Sequence, residues 1–324
     1  MRRVTTIADL RGALDDERRR GRTIALAPTL GALHEGHLAN VRIAAGHADV
    51  VVVSVFVNPT QFDRADDLAA YPRTLEADEA ALRSLGADAP AYVFAPSEAE
   101  MYPSSPRTTV HVAGVTEVLE GASRPGHFDG VATVVTKLFN IVGPDVAVFG
   151  RKDFQQNVVI GRFVADLDLP VRLVLTPTVR EPDGLALSSR NRRLDADGRA
   201  AAAAIPKALR AAVRAAREDR TAGRAPDPTH VRAAALATLS AVPALTVGYV
   251  EVVDPDTLAP PDPAARGGEA AGPTTPPAGR EPRPLLVTVA ASVDGVRLID
   301  NVEIGDTDDE DRLLAATEAA TPHQ

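Results

Sequence analysis

The sequence contains no cysteine. Disulfide frameworks, thiolate metal sites and cysteine nucleophiles are therefore excluded. Long apolar runs are also missing, because Ser54 interrupts the longest one, at residues 50–57, which is far short of the roughly 20 residues that span a bilayer. No apolar signal segment follows Arg2 and Arg3, since Asp9 comes soon after them. We therefore expect a cytoplasmic protein with no membrane partner.

Basic residues are fewer than acidic ones. Lys and Arg number 35 against 44 Asp and Glu, which gives a net charge of -9. Extended binding along nucleic acid is not expected, although a local basic pocket remains open. The hydrophobic fraction of 45% excludes wholesale disorder, and 324 residues are enough for two domains.

In the first half, predicted strands alternate with predicted helices, which is typical of an α/β fold. We expect residues 1–185 to form a Rossmann-like, doubly wound parallel sheet with helices on both faces. Ligands bind such sheets at the carboxyl ends of the strands. Three polar segments follow predicted strands, at residues 28–37, 58–62 and 150–156. They are the candidate binding segments.

The second half, residues 186–324, predicts a smaller α+β domain. Residues 262–283 contain five prolines, four glycines and no large apolar residue, which predicts a disordered insertion. Residues 306–311 contain five acids and predict a solvated acidic tail. In the first half, residues 121–130 contain three glycines and a proline, which predicts a mobile loop.

His34 and His37 lie three residues apart at the predicted start of a helix. That spacing places both imidazoles on one side of the helix, and free N–H groups at the helix start favour anions. The pair could hold a polyphosphate and stabilise departing pyrophosphate. Two alternatives stay open: surface or capping histidines, and a zinc pair, which lacks an obvious third ligand.

Three further groups of polar residues follow predicted strands or turns. Ser188, Ser189 and Arg190 offer two hydroxyls and a guanidinium for phosphate oxygens, although such a loop can also be merely structural. Lys152 supplies a point charge, while Asp153 suits either ribose hydroxyls or a helix cap. Neutral amides such as Gln61 and Gln156 suit a substrate bearing hydroxyls and one carboxylate, because an amide both donates and accepts.

These motifs, taken in order, resemble a known family. A strand followed by His34-Glu35-Gly36-His37, with a Ser-Ser-Arg loop about 150 residues later, resembles the H-x-G-H nucleotidyltransferases, which include class I aminoacyl-tRNA synthetases. The closer resemblance is to the pantothenate synthetase (pantoate–β-alanine ligase) family. Six segments carry it in matching order: 28–37, 56–62, 71–74, 124–131, 152–156 and 187–191.

The resemblance implies an ATP-dependent ligase that works in two steps. ATP would adenylate the pantoate carboxylate and release pyrophosphate, and the β-alanine amine would then displace AMP to give pantothenate, a precursor of coenzyme A. Six residues would be catalytic: His34, His37, Lys152, Ser188, Ser189 and Arg190. ATP would also be bound by Leu30, Gly36, Gly150, Asp153, Val179 and Leu187. Pantoate would be bound by Gln61, Gln156 and Asn58.

The resemblance further implies Mg²⁺ as cofactor, a homodimer, and a lid at residues 121–130 carrying Arg124 and His127. Asp78 is the candidate carboxylate near the metal. The family usually has Met at positions 30 and 187, where leucine is nearly isosteric. It usually has Glu at position 151, where Arg151 reverses the charge beside the phosphates.

Two other functions remain open. A related nucleotidyltransferase with another acceptor would need extra cations for an acceptor phosphate, where this sequence has Gln61 and Gln156. A catalytically silent nucleotide-binding protein is suggested only by Arg151 and the insertion.

Overall fold

The computed structural model describes residues 1–103, 107–261 and 284–315. The chain divides into two compact units, Met1–Val179 and Arg180–Gln324. The division falls after Val179 rather than after residue 185, where we expected it. Residues 180–186 belong to the second unit because their contacts are made there, including an ion pair between Arg180 and Asp300.

The first unit is built around a six-stranded sheet in which every pairing is parallel. The strands are β1 (Arg2–Val4), β2 (Ile24–Thr29), β3 (Val50–Val55), β4 (Tyr92–Phe94), β5 (Val146–Gly150) and β6 (Arg172–Thr176). Its helices are α1 (Ile7–Arg19), α2 (Glu35–Ala45), α3 (Ala65–Ala70), α4 (Leu75–Arg83), α5 (Glu98–Met101), α6 (Glu120–Ser123), α7 (His127–Val142) and α8 (Phe154–Asp166). The predicted α/β fold is confirmed.

Hydrophobic pattern explains the central strands. β3 reads Val-Val-Val-Val-Ser-Val and its first five residues are buried, as expected for a parallel strand covered on both faces. β2 is equally buried, with only Pro28 partly exposed. Val41 and Ala44 of α2 pack with β2, β3 and β5 in one apolar cluster. This packing fixes the start of α2 relative to the sheet.

The strand order is β1-β4-β3-β2-β5-β6, and it places the binding segments. From β2 the chain proceeds to β3 and β4 on one side, and then returns to β5 on the other side of β2. The carboxyl ends of β2 and β5 therefore lie side by side at the topological switch point, where ligands bind in this class of sheet. Residues 30–34 follow β2, and residues 151–153 follow β5.

The second unit combines helices with a three-stranded antiparallel sheet, as predicted. Its elements are α9 (Ala196–Ala202), α10 (Ala204–Thr221), α11 (Pro228–Ser240), β7 (Thr246–Val253), β8 (Leu285–Val293), β9 (Val296–Ile304) and α12 (Thr307–Ala315). Pro206 lies in the first turn of α10, where no intrahelical N–H donor is required. None of the helices in the described ranges is long and apolar enough to cross a membrane.

The prediction of a mobile loop at residues 121–130 was wrong. α6 and α7 include most of the segment, and Gly121 and Gly130 are buried. A Cβ at Gly121 would lie 2.0 Å from the Thr116 carbonyl oxygen, and one at Gly130 would lie 2.2 Å from the Thr60 carbonyl oxygen. These two glycines serve close backbone packing, which composition does not distinguish from flexibility.

The prediction of a solvated acidic tail at residues 306–311 was wrong in part. Asp308 and Asp311 are exposed, but residues 307–311 form the start of α12, where acids are favourable near the helix N-terminus. Glu310 is fully buried and pairs with Arg217 at 3.1 Å and with Arg220 at 2.9 Å. Glu310 can be buried because these two arginines of α10, which are distant in sequence, balance its charge. The predicted disordered insertion at 262–283 lies outside the described residues.

Candidate active site

The segment between β2 and α2 forms a tight loop held by a buried carboxylate. Gly31 has a φ of +86°, a conformation that glycine adopts without strain. Asp78, on α4, accepts hydrogen bonds from the backbone N–H of Ala32 at 3.1 Å and of Leu33 at 2.8 Å. Thr74 donates to the same carboxylate over 3.2 Å. Asp78 is 3% exposed. Its hydrogen bonds to Ala32 and Leu33 fix the loop that leads into the two histidines.

The two imidazoles stack at the start of α2. Their ring centroids are 4.0 Å apart and the ring planes differ by 25°. The backbone N–H of His34 donates to Nδ1 of His37 over 3.3 Å. Burial, the neighbouring His34 and Lys152 lower the pKa of His37 to about 3, against an opposing effect of Asp153. His37 is therefore neutral at pH 7, with its proton on Nε2.

This geometry bears on two of the alternatives left open for the histidines. The capping alternative is correct in part, because His34 occupies the position before α2 and Nδ1 of His37 satisfies its N–H. Nε2 of His37 still carries a proton available for donation. The zinc alternative gains no support, since the described ranges contain no cluster of three or more His, Asp or Glu suited to a metal.

The segment after β5 places a cation and a carboxylate beside His37. Residues Arg151–Asp153 form a single 3₁₀ turn before α8. Nζ of Lys152 lies 3.3 Å from Oδ1 of Asp153, and both residues influence the pKa of His37. Asp153 precedes α8 but makes no capping hydrogen bond. Arg151 is partly exposed.

Asn58 organises the amides after β3. It is fully buried, and its Nδ2 donates to Oε1 of Gln61 at 3.0 Å and to the Gly130 carbonyl at 3.2 Å. Its Oδ1 accepts from the hydroxyls of Tyr102 at 2.8 Å and Thr60 at 3.0 Å. Every hydrogen-bonding atom of the Asn58 side chain is thus used within the protein. Because Oε1 of Gln61 accepts from Asn58, its Nε2 is the end directed to other partners.

A second network holds the backbone of Gln61. Nδ1 of His127 lies 2.6 Å from the Gln61 carbonyl oxygen, and Nη2 of Arg124 donates to the same oxygen over 3.2 Å. A carbonyl only accepts, so Nδ1 of His127 carries the proton. Nε2 then accepts from Nη1 of Arg124 at 3.2 Å, and Asp63 balances the guanidinium at 2.9 Å.

The neighbouring glutamines of α8 have different surroundings. Gln155 is buried and bonds the segment before α6, donating to the carbonyls of Val115 and Val118 and accepting from the N–H of Glu120. Gln156, the predicted pantoate ligand, is partly exposed. Gln155 therefore lies on the buried side of α8, where it bonds the backbone, and Gln156 lies on a side that solvent reaches.

The remaining predicted residues lie elsewhere. Leu30 lies in the loop before α2 and Gly36 is the second residue of α2; both are partly exposed. Val179 ends the first unit. Leu187, Ser188, Ser189 and Arg190 belong to the second unit. There Oγ of Ser188 accepts from the N–H of Arg190 at 3.3 Å and begins the 3₁₀ turn Ser189–Arg193.

Several supporting residues carried no sequence signal. The hydroxyls of Tyr102 and Thr60 bond Asn58, and Asp63 pairs with Arg124. Each of these contacts exists only because the fold or a turn brings the two residues together. Glu181 and Arg199 of the second unit were missed for the same reason. Polar side chains of common types show no periodicity by which they could be recognised.

Fold and site together define a class of protein. A doubly wound parallel sheet carries an H-x-G-H helix start and a lysine at adjacent strand ends, which is the arrangement of an ATP-using nucleotidyltransferase-type enzyme. The chain belongs to the pantoate-beta-alanine ligase family, which it matches over residues 2–303.

Individual relatives agree with this assignment. A pantothenate synthetase of Paracoccus denitrificans (strain Pd 1222) is 48% identical over 301 residues, covering 93% of this chain and 97% of the relative. The crystal structure of pantothenate synthetase from Thermus thermophilus is 42% identical with a TM-score of 0.79, covering 93% and 99%. Pantoate-beta-alanine ligase from Francisella tularensis, complexed with beta-gamma ATP and beta-alanine, is 30% identical with a TM-score of 0.69, covering 93% and 97%.

Proposed function

We propose that this chain joins pantoate to β-alanine through a pantoyl-adenylate, consuming ATP and releasing pyrophosphate and AMP. The observation that supports this most directly is the neutral His37 at the start of α2 beside Lys152, at the switch point of the sheet. Pantoate and β-alanine enter from the family to which the chain belongs.

Adenylation needs positioning and charge neutralisation rather than a covalent nucleophile. The pantoate carboxylate attacks the α-phosphorus of ATP, and the bond to pyrophosphate breaks. The free N–H groups at the start of α2, the Nε2–H of His37 and the ammonium of Lys152 would stabilise the departing charge. A neutral donor suits this role because it binds phosphate without depending on its own protonation near pH 7.

Pantoate would be held by Gln61 and Gln156. Gln61 is oriented by Asn58 through its side chain and by Arg124 and His127 through its carbonyl. We assign Asn58 to positioning rather than to direct pantoate contact, since its side chain is fully buried. The residues predicted as a lid would serve this site by clamping Gln61 and helping to exclude water from the acyl-adenylate.

Further residues are proposed to bind the nucleotide. Gly150, Asp153 and Val179 would receive the ribose and adenine, and Leu30 and Leu187 would give apolar contacts. Ser188, Ser189 and Arg190 would bind the phosphates. Lys152 is paired with Asp153 and would exchange part of this contact for phosphate when ATP binds.

We propose that Asp78 supports the loop before α2 rather than binding magnesium directly, since both of its carboxylate oxygens accept hydrogen bonds from that loop. We propose that Mg²⁺ arrives bound to the ATP phosphates and keeps mostly water and phosphate ligands. We also propose a cytoplasmic homodimer. Two exposed leucines, Leu167 and Leu175, lie near the edge strand β6 and offer apolar surface for self-association.

Pyrophosphate exchange tests this function. With ATP, Mg²⁺ and pantoate but no β-alanine, labelled pyrophosphate should enter ATP, because adenylation is reversible. Exchange driven by another acid and not by pantoate would instead favour a related nucleotidyltransferase. Absence of exchange with every acid tried, despite ATP binding, would favour a catalytically silent protein.

A further inference from the structure

We infer that Arg199 is a positioning residue for the phosphate-binding loop Ser188–Arg190, which it holds through Glu181. The inference rests on the proposed role of that loop in binding ATP. Arg199 lies on α9, and its guanidinium contacts the carboxylates of Glu181 and Asp183. Its effect on the loop is therefore exerted through other side chains.

The guanidinium of Arg199 forks between two carboxylates. Nη1 donates to Oε1 of Glu181 at 2.9 Å, and Nη2 lies 2.8 Å from Oε2 of the same residue. Nε donates to Oδ2 of Asp183 over 2.8 Å. A forked, charge-assisted contact of this kind fixes both distance and orientation.

Glu181 passes this constraint to the loop through Asn191. Nδ2 of Asn191 donates to Oε1 of Glu181 at 2.7 Å and to the carbonyl of Ala186 at 3.1 Å. Asn191 directly follows Arg190, and Ala186 comes shortly before Ser188. The amide of Asn191 thus links the two ends of the loop, and it also bonds the Glu181 carboxylate that Arg199 holds.

The turn before the loop is held in the same way. The N–H of Glu181 donates to the carbonyl of Leu185, and the N–H of Gly184 to that of Glu181, both at 2.8 Å. Arg180 and Ala186 form an antiparallel bridge across this turn. Asp183, at the tip, is the second carboxylate that Arg199 contacts. The turn and α9 therefore act as one support.

The anchor itself is fixed. Oδ1 of Asp195 accepts from the N–H of Gly198 at 2.8 Å and caps α9. A Cβ at Gly198 would lie 3.3 Å from Cγ1 of Val293 and 2.8 Å from Oδ2 of Asp294, so α9 packs closely on the end of β8. Arg199 follows this contact directly.

Charge gives a second reason for the arrangement. Two carboxylates close to a loop that binds a polyanion would repel it unless a cation balanced them. Hydrogen bonds from Arg199 are the main cause that lowers the pKa of Glu181, so Glu181 is ionised throughout the physiological range. Removing Arg199 should therefore loosen the loop and add uncompensated negative charge near the phosphates.

The test compares Arg199→Met and Arg199→Lys with the unmodified protein. Arg232→Met is the matched control, since Arg232 is in the same unit and pairs with Glu251 at the surface over 3.3 Å. Ser189→Ala reports on the loop itself. For each variant, ATP affinity is measured by calorimetry, KM for ATP and for pantoate in pyrophosphate exchange, and Tm by thermal unfolding.

We expect Arg199→Met to weaken ATP binding and to raise KM for ATP about tenfold, while KM for pantoate changes less than about twofold. Arg199→Lys should fall between, because lysine restores the charge but not the fork. Arg232→Met should bind ATP normally.

Two results would overturn the inference. If Ser189→Ala weakens ATP binding and Arg199→Met does not, the loop binds phosphate without this support. If both KM values rise together with a large fall in Tm, and Arg199→Lys restores neither, Arg199 is merely structural. Normal ATP affinity in Ser189→Ala would instead remove the loop from the proposed function.

Discussion

The backbone N–H of His34 donates to Nδ1 of His37, and this one hydrogen bond sets the tautomer of the second histidine. A ring nitrogen that accepts has no proton, so the proton of the neutral ring is on Nε2. Burial keeps the ring neutral by lowering its pKa to about 3. His37 is thereby prepared as a hydrogen-bond donor rather than as a cation or a base.

Substitution of His37 should separate these roles. His37→Ala is expected to slow pantoate-dependent pyrophosphate exchange by about 10²–10³-fold, the usual cost of one lost donor to developing charge. His37→Gln should retain more activity, because its amide nitrogen can reach the position of Nε2. His47→Ala, at an exposed position on the same unit, is the control. Equal losses in the Gln and Ala variants would contradict donation from Nε2.

We expect His127 to lower the folding stability of the protein in acid. Burial and the adjacent Arg124 lower its pKa from 6.5 to about 4. As pH falls below 6.5 the unfolded chain takes up a proton that the folded chain does not, so this group lowers folding stability between pH 6.5 and 4. The effect is on the order of 3 kcal/mol.

His127→Asn should reduce that loss, because its amide nitrogen lies near the position of Nδ1 and keeps a donor for the Gln61 carbonyl. Chemical denaturation at pH 7.5, 6 and 4.5 measures it. The variant's stability relative to the unmodified protein should rise as pH falls, with pH 7.5 as the internal reference. A difference that stays constant over this range would show that His127 does not titrate differently on unfolding.

Asn58→Ala should affect pantoate more than ATP. The substitution leaves the Tyr102 hydroxyl and Oε1 of Gln61 without their partner, which should cost about 1–3 kcal/mol of stability. Gln61 would lose its fixed orientation, so KM for pantoate should rise and KM for ATP should stay close to normal. Steady-state kinetics and urea unfolding test both points, with Asn140→Ala at the exposed surface as control. A selective rise in KM for ATP would contradict the assignment.

Asp78→Asn distinguishes a loop support from a metal ligand. The amide would oppose one of the two backbone N–H groups that Asp78 now accepts from, and we expect a loss of about 1–3 kcal/mol in stability together with weaker ATP binding. The Mg²⁺ concentration for half-maximal activity should not change. Asp15→Asn, which alters a surface pair with Arg18, is the control. A normal stability with a raised Mg²⁺ requirement would support the assignment of Asp78 to the metal and contradict its role as a loop support.

Much of the first unit could be predicted because its signals are local. Valines in β3 and the spacing of apolar residues in α7 indicate their elements directly. The parallel order then brings the strand ends together, so motifs far apart in sequence could be expected near one another. The family resemblance rested on the same ordered motifs.

The errors arose where partners are distant in sequence. Glu310 reads as a solvated acid until Arg217 and Arg220 are placed beside it. Gly130 was predicted to be flexible, but the Thr60 carbonyl oxygen occupies the space that a Cβ at this position would need. For Asn58 and Asp78 the structure adds hydrogen-bond partners that are distant in sequence, and their roles as ligands stay predictions.

The sequence alone determined the alternation of strands and helices, the positions of the binding motifs and the family to which the chain belongs. Tertiary structure decided the proton position on His37, the orientation of Gln61 and the hydrogen-bond partners of Asp78 and Arg199. The physical reason is that hydrophobic periodicity is written along the chain, whereas hydrogen-bond satisfaction depends on which groups the fold brings within about 3 Å of one another.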